Sequence, residues 1–271
     1  MPPKHGSHAT HGGEGRWKGK LTSRPLPLDD DTIDTLTDVE RRELTAVWIG
    51  RAATERRVAD AFAEIRDALT ELHAEPSLIA LAARSIDDEY RHAELSRVVA
   101  SRFAGEELDA PPLLPLEVPE HPGASPELRR TLHVVGQCSL NETTASAFLE
   151  TCLAHAKAPL ATAAVRELLS DEVDHARIGW SFLSTVRPAL RAEIAPWLLP
   201  MTRGNLRIWR TRTSPSEASP DVLAAHGAPP IDVIDEALVG AVRDLVIPGF
   251  DALGIDTRRV VRWLERGAET N

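Results

Sequence analysis

Aromatic residues are scarce in this chain of 271 residues, and tyrosine occurs only once. Runs of Val, Ile, Thr and Tyr that alternate with polar residues, the usual signature of β-strands, are missing as well. Ala, Leu, Arg and Glu, which favour helices, dominate the sequence instead. These features argue against a β-sandwich or a β-barrel and predict an all-α fold.

Long apolar runs and an excess of basic residues are also absent. No stretch approaches the roughly 18–20 apolar residues of a membrane span, and the first residues contain no apolar run typical of a secretory signal. The formal net charge is −10, whereas proteins that bind a phosphate backbone need a basic surface. We therefore expect a protein that binds neither a membrane nor a nucleic acid.

Cysteine is rare too, with only Cys138 and Cys152 present. Both fall in one predicted helix, where they would lie about 21 Å apart along the axis. That separation is too large for a disulfide between them. The cysteine pattern therefore fits a reducing compartment, and we expect the protein in the cytoplasm.

Helix boundaries are marked by capping signals. Thr37–Glu40 has the pattern of a capping box, which places the start of the first long helix just after Thr37. Pro76 suits a first helical position, and Gly105 suits the position after a last one. Signals of this kind predict four long helices, at about 38–72, 76–104, 126–156 and 159–186.

The segment 106–125 is rich in proline and cannot form a helix or a central strand. In an extended conformation of about 3.1 Å per residue it could span roughly 60 Å. A helix of about 28 residues is roughly 42 Å long, so this segment is long enough to return along the whole length of a helical bundle.

The remaining sequence divides into a tail and an extension. Residues 1–28 lack periodicity and predict a disordered tail. Residues 29–271 then form a single domain, with a bundle core at 38–186 and a C-terminal helical extension at 188–267. Within this extension we expect a helix at 188–210, a loop at 211–229, and a helical pair at 231–245 and 257–267.

The motif D-E-x-x-H occurs twice, at Asp88–His92 and at Asp171–His175. Residues three apart on a helix share a face, so the Glu and the His of each copy can bind one metal ion together. A single E-x-x-H is weak evidence for a metal site. Two copies of the longer motif, on the second and fourth predicted helices, are much stronger evidence.

Two further glutamates lie upstream of these motifs. Glu55 precedes Glu89 by 34 residues, and Glu142 precedes Glu172 by 30. In an antiparallel helix pair with a short turn, such spacings place the two carboxylates at the same level. The candidate metal ligands are therefore Glu55, Glu89, His92, Glu142, Glu172 and His175.

The neighbours of these residues indicate whether the six side chains form a metal site or lie on a solvated surface. Ala52 and Phe62 share the helix face of Glu55, and Ala145 and Leu149 share that of Glu142. Four carboxylates that face an apolar core would repel one another and lose their hydration. Bound cations would remove both penalties, so the pattern favours a metal site over a metal-free helical protein, which is the alternative.

Helices that carry Glu, E-x-x-H, Glu and E-x-x-H over residues 38–186 resemble the ferritin-like di-iron carboxylate superfamily. The resemblance implies a ferritin-like four-helix bundle with a long crossover between helices 2 and 3, followed here by extra C-terminal helices. It implies two iron ions, although a manganese–iron pair stays open. One iron would bind Glu55, Glu89 and His92, the other Glu142, Glu172 and His175, with Glu89 and Glu172 as bridges.

The resemblance also implies roles for residues around the ligands. Asp88 and Asp171 would each accept a hydrogen bond from the ligand histidine of the other half. Ser146, one turn beyond Glu142, stands where several oxygen-activating members carry a hydroxyl residue near the substrate pocket.

Taken together, the resemblance implies a non-haem di-iron oxygenase or oxidase that activates dioxygen to oxidise a small organic substrate. Such an enzyme needs an electron donor, and assembly into a homodimer stays open. The alternative is a ferritin-like or rubrerythrin-like protein that oxidises iron or removes peroxide. The sequence identifies neither the subfamily nor the substrate.

Overall fold

The computed structural model describes Trp17, residues 19–209 and residues 217–267. Helices dominate these residues, and no β-strand occurs among them. The predicted all-α fold is therefore confirmed.

The first two helices form a hairpin, α1 (Asp38–Glu71) and α2 (Pro76–Ala104). The hydroxyl of Thr37 accepts from the backbone N–H of Glu40, and the Glu40 carboxylate accepts from the backbone N–H of Thr37. The α2 helix begins at Pro76 and is followed by Gly105, whose φ of 76° is the left-handed conformation that glycine adopts readily. The capping signals in the sequence therefore predicted both ends of this hairpin.

The next long predicted helix is divided in the structure. It consists of α3 (Pro126–Val134), a π-helical segment (Val135–Asn141) and α4 (Glu142–His155). After a short turn, α5 (Pro159–Thr185) pairs with α4 and with the π-helical segment. A π-helix has wider turns than an α-helix and often lies at a functional site. The sequence did not predict it.

The connection 105–125 runs along the outside of the two hairpins. Pairing of Arg51 with Cys152 and of Arg130 with Glu71 shows that α1 is antiparallel to α3 and α4. Because α1 is also antiparallel to α2, the helices α2 and α3 run in the same direction. The connection therefore has to return from the C-terminal end of α2 to the level of its N-terminal end, where α3 begins. Along this path the carbonyls of Leu108, Pro111 and Pro119 are hydrogen-bonded to Arg97, Arg56 and His133, respectively.

The C-terminal region adds further helices. They are α6 (Pro188–Trp209), α7 (Pro220–Ala225), α8 (Ile231–Ala241), a second π-helical segment (Val242–Val246), α9 (Ile247–Ala252) and α10 (Arg258–Glu265). The α7 helix lies in the predicted loop, and the helix predicted for 231–245 continues to residue 252. Residues 210–216 of that loop lie outside the described part of the chain. The α8 helix packs on α4, and α6 packs on α3 and on the first π-helical segment.

Two apolar clusters fill the space between α1, α2 and the second hairpin. One contains Phe62, Leu69 and Leu132 and extends to the C-terminal helices. The other contains Trp48 and Leu168 and lies toward the opposite end of the bundle. The level of Glu55 and Glu89 falls between them, so the candidate ligands are held from both ends by close-packed apolar side chains.

Part of the predicted tail contacts the bundle. The backbone N–H of Ser23 donates to the Glu167 carboxylate at 2.8 Å, and Arg91 donates to the carbonyl of Leu21 at 3.0 Å. Residues 19–28 therefore differ from the free tail that their composition predicted, because they find specific partners on α2 and α5. Residues 1–16 and 18, also in that predicted tail, lie outside the described part of the chain.

Among the described residues, no helix combines the length and the apolar character needed to cross a bilayer.

The close approach of α5 to the first π-helical segment depends on Gly179. A Cβ atom at this position would lie 2.6 Å from the backbone nitrogen of Ser139 and 2.8 Å from the carbonyl carbon of Cys138. We predict that Gly179→Ala lowers the free energy of unfolding by about 2 kcal/mol or more, because backbone atoms would have to move. Denaturant unfolding of the purified variant measures this change.

Gly50→Ala on α1 is the matched control, since a Cβ there meets no atom within 4 Å. It should raise the free energy of unfolding by about 0.5–1 kcal/mol, the usual gain from replacing glycine in a helix. Equal effects of the two substitutions would contradict the steric explanation.

Candidate metal centre

Each of the four long helical segments contributes to one cluster of carboxylates and imidazoles. Glu55 comes from α1 and Glu142 from the first residue of α4. The two D-E-x-x-H motifs supply the other members from α2 and α5, with both histidines completely buried. The structure thus brings together all six residues that the sequence singled out: Glu55, Glu89, His92, Glu142, Glu172 and His175.

The cluster divides into two groups that share Glu89. Possible ligand atoms of Glu89, Glu142, Glu172 and His175 all lie within 4.8 Å of one another, and so do those of Glu55, Glu89 and His92. Each group is compact enough for its ligand atoms to surround one cation. The shared carboxylate places the two groups side by side.

Glu89 and Glu172 each face both histidines. His175 Nδ1 lies 3.1 Å from one oxygen of Glu89, and His92 Nδ1 lies 3.5 Å from the other. The Glu172 oxygens lie 3.6 Å from His175 Nδ1 and 3.8 Å from His92 Nδ1. Each carboxylate thus presents one oxygen to either half, the arrangement that a bridging ligand needs.

The remaining nitrogen of each histidine faces an aspartate of the other half. His92 Nε2 lies 3.0 Å from Asp171, and His175 Nε2 lies 3.7 Å from Asp88. This cross-pairing is the one that the resemblance implied. A carboxylate behind a ligand histidine fixes its tautomer and its orientation, which here directs Nδ1 toward the cluster.

Two arginines, which the sequence did not identify, complete this outer layer. Arg91 donates to Asp171, and the Nε of Arg84 lies 3.4 Å from Asp88. Both arginines are near the bundle surface and partly neutralise the aspartates. Arg91 precedes His92 by one residue, and Arg84 precedes Asp88 by one turn. Neither position indicates this role in the sequence.

The first π-helical segment supplies amide donors to Glu142. The side-chain amide of Gln137 donates to its carboxylate, and that of Asn141 lies 3.3 Å from the same oxygen. Asn205 of α6 donates in turn to Asn141 at 3.2 Å. Sequence reasoning missed all three amides, because regular α-helical spacing does not direct residues five apart to one point.

Many polar atoms of the cluster have no hydrogen-bond partner among the described residues. They include both oxygens of Glu89, one oxygen of Glu172, and Nδ1 of both His92 and His175. Buried polar groups are nearly always satisfied, so this many unpartnered lone pairs in one place is unusual. Cations at the centre would satisfy them, and the residues present therefore fit a metal centre.

Burial and mutual repulsion determine the protonation of the carboxylates in the absence of metal. Burial raises the pKa of Glu55 well above its usual range, with a further rise from neighbouring Glu89. Burial likewise raises the pKa of Glu142, and Glu172 adds to the effect. Burial acts in the same direction on Glu89, but the adjacent His175 and His92 outweigh it and lower its pKa to about 2.

The histidines shift in the complementary direction. Burial alone would lower the pKa of His92, but Asp171 and Glu89 outweigh burial and raise it to about 10. The pKa of His175 rises well above its usual value, because Asp88, Glu172 and Glu89 outweigh burial there too. Without metal, both imidazoles and the carboxyl groups of Glu55 and Glu142 therefore hold their protons to a higher pH than usual.

A large cavity opens onto the carboxylate side of the cluster. It has a volume of about 1620 Å³ and is bordered by Glu55, Glu89, Glu142 and Glu172 but by neither ligand histidine. It extends along α1 from Glu43 to Ile65, a distance of roughly 33 Å at 1.5 Å per residue. Its other walls come from the connection at 114–122, α3, α4, α6 and the segment 218–234.

Ser146 does not border this cavity. Its hydroxyl donates to the backbone carbonyl of Glu142 at 2.9 Å, and the wall at this level is formed by Ala145, Phe148 and Leu149 instead. The side chain of Ser146 lies about 100° around the helix from Ala145 and satisfies the backbone, and its role near a substrate stays a prediction.

Comparisons of the chain with protein-family models, with curated proteins and with solved structures found no match.

Removal of the Glu142 carboxylate tests its role as a metal ligand. Glu142→Gln keeps the shape and resembles the neutral acid, so the metal-free protein should keep its stability to within about 1 kcal/mol. The same substitution removes a charged ligand, so bound Fe(II) measured under anaerobic conditions should fall below two ions per chain. Glu150→Gln is the matched control, since Glu150 is an exposed residue two turns further along α4, and it should bind iron normally. Loss of iron binding in both variants would contradict the ligand assignment.

Metal ligands must be deprotonated, and the raised pKa values of Glu55, Glu142, His92 and His175 mean that these groups keep their protons to a higher pH than usual. Metal binding should therefore release protons, and metal affinity should rise as the pH rises from about 6 to 8. Titration calorimetry in buffers of different ionisation enthalpy measures the protons released. A pH-independent affinity without proton release would contradict this protonation pattern.

Proposed function

We propose that the chain is a non-haem di-iron oxidoreductase that activates dioxygen to oxidise a small organic substrate. The observation that carries the proposal is the position of the six-residue cluster at the wall of a large apolar cavity. The cluster supplies ligands for two cations, and the cavity supplies room for an organic molecule beside them.

The proposal includes a ferritin-like four-helix bundle as the scaffold. Its support is the order of the elements: two helical hairpins, joined by a long connection that returns along the bundle. The contacts of α2 with α5 and of α1 with α3 bring the hairpins together. One E-x-x-H from each hairpin then faces one glutamate from each, the ligand pattern of di-iron carboxylate bundles.

Iron is the proposed metal because of the donor atoms. Carboxylate oxygens and imidazole nitrogens suit iron or manganese, whereas soft metals prefer thiolates. The nearest cysteine on the sequence, Cys138, is a full turn from Glu142, and burial raises the pKa of its thiol. Two iron(II) ions held by the cluster would supply electrons to dioxygen, and an external electron donor would restore them.

The surrounding residues divide into two sides with different tasks. On one side, Asp88 and Asp171 hold the two imidazoles, which do not border the large cavity. On the open side, the carboxylates face the cavity, and apolar side chains such as Phe148 and Leu149 form part of its wall. Dioxygen and an organic substrate would therefore reach the centre from the carboxylate side.

The cavity favours oxidation of a substrate over iron storage. Storage requires a path for many hydrated cations, which polar and acidic walls would provide. Here the wall includes the apolar residues Val58, Ala61, Leu140, Ala145 and Phe148, together with polar ones such as Glu64 and Gln137. A wall of this kind fits a carbon skeleton better than a stream of hydrated iron ions.

The test is anaerobic loading with Fe(II), followed by mixing with dioxygen while iron oxidation and mineral formation are recorded. We expect two Fe(II) ions per chain, one rapid oxidation, and no mineral when more iron is added. Continued oxidation of many ions per chain would replace the proposal by an iron-storage function. Failure to bind iron at all would leave a metal-free helical protein.

A further inference from the structure

A cation without an acidic partner lies on the cavity wall one turn from Glu55. Arg51 of α1 is half-buried and borders the cavity. Its Nη2 donates to the carbonyl of Gly227 at 2.6 Å and lies 3.4 Å from the sulfur of Cys152. Its Nη1 is buried and has no acceptor among the described residues. Arg51 therefore keeps one enclosed nitrogen without an acceptor, while another part of its side chain borders the cavity.

The charge of Arg51 is not neutralised by the protein around it. The guanidinium lies between the rings of Trp48 and Phe148, at 4.5 and 5.1 Å from their centroids. Burial raises the pKa of Cys152, so its sulfur is a neutral thiol. Glu55 lies with Glu89 and His92 instead. No acid in the described part of the chain forms an ion pair with Arg51, although a partly buried cation is costly without one.

The cavity beyond Arg51 passes the metal cluster. Along the axis of α1, Glu55 lies about 6 Å from Arg51, and Ile65 lies about 15 Å further on. The walls of this stretch carry aliphatic groups from Val58, Ala61, Ile65, Leu132, Leu140 and Ala145, and polar groups from residues such as Glu64 and Gln137. A ligand with an anionic head at Arg51 would therefore extend an apolar body past the carboxylates of the cluster.

We propose that the substrate is an apolar monocarboxylic acid whose carboxylate pairs with Arg51 and whose hydrocarbon part lies across Glu55 and Glu142. This inference rests on the proposed function and names the substrate class for it. Arg51 is a positioning residue. It fixes the substrate carboxylate one turn of α1 away from Glu55, and this distance determines which substrate carbon lies beside the centre. A carboxylate also supplies the negative charge that the guanidinium lacks among the described residues.

Arg51 is distinguished from the other arginines that border the cavity. Arg207 is exposed at the rim, where solvent screens its charge. Arg57 borders the cavity too, but no aromatic ring is stacked on it among the described residues. Arg57 therefore provides a matched control of the same residue type on the same helix.

The experiment compares an acid with a neutral analogue of the same chain length, using the full chain under anaerobic conditions. Binding of decanoate and of decan-1-ol is measured by titration calorimetry for the unmodified protein and for Arg51→Gln, Arg51→Lys and Arg57→Gln. Arg51→Gln should weaken decanoate binding about 10- to 100-fold, the range expected for a charged hydrogen bond. Decan-1-ol binding should change less than about threefold, and Arg51→Lys should fall between the two.

Separate outcomes overturn the inference. It is overturned if decanoate does not bind, if Arg51→Gln weakens the acid and the alcohol equally, or if Arg57→Gln has the same effect as Arg51→Gln. The alcohol also reports whether the cavity survives the substitution. Two bound iron ions without decanoate binding would remove the substrate class and keep the di-iron proposal. Decanoate binding that depends on Arg51 in a chain that takes up no iron would remove the di-iron proposal and keep the anion site.

Discussion

Electrostatic repulsion acts among four carboxylates at the centre of the bundle, three of which are fully buried. Glu55, Glu89, Glu142 and Glu172 converge from four helical segments into one space, where burial weakens the screening by water. Without metal, the raised pKa values of two of them and of both imidazoles favour protonated forms that reduce the repulsion. That arrangement still leaves lone pairs without partners, so the fold must hold the cluster by other means. The apolar clusters above and below it do so, since neither hairpin can separate without exposing them.

The sequence contained the parts of the structure that depend on local chemistry. The capping box at Thr37, the proline at position 76 and the glycine at position 105 act within one helical turn, so their roles can be predicted from the residues alone. The D-E-x-x-H motifs are also local, and simple helix geometry was sufficient to bring Glu55 and Glu142 to the same level. Features that depend on contacts between distant segments were not predicted: the π-helical segment, the amides around Glu142 and the cavity. Ser146 shows the same limit, because helical spacing alone did not reveal that its hydroxyl would bond to the backbone.

The first π-helical segment depends on a contact with a distant helix and also positions side chains at the cluster. Its wider turns let Gln137 and Asn141 both reach the carboxylate of Glu142, which regular helix would not allow. Its bulk is accommodated because α5 has no side chain at position 179. The same α5 carries Glu172 and His175 within two turns of that glycine. A close helix contact, rather than a longer loop, therefore sets how far Glu142 lies from Glu172 and His175 within the second half of the cluster.

The two halves resemble each other in sequence but differ in how firmly their carboxylates are held. On α4, Glu142 is fixed by two amides and is fully buried. On α1, Glu55 is only partly buried and borders the cavity, and no side-chain amide in the described residues donates to it. A carboxylate without such restraints can change its position when the charge or the ligands of a neighbouring cation change. The half of the centre that includes Glu55 is thus the more adaptable one, and it lies nearest to Arg51. The adaptable carboxylate Glu55 and the proposed substrate anchor Arg51 therefore lie on one face of α1.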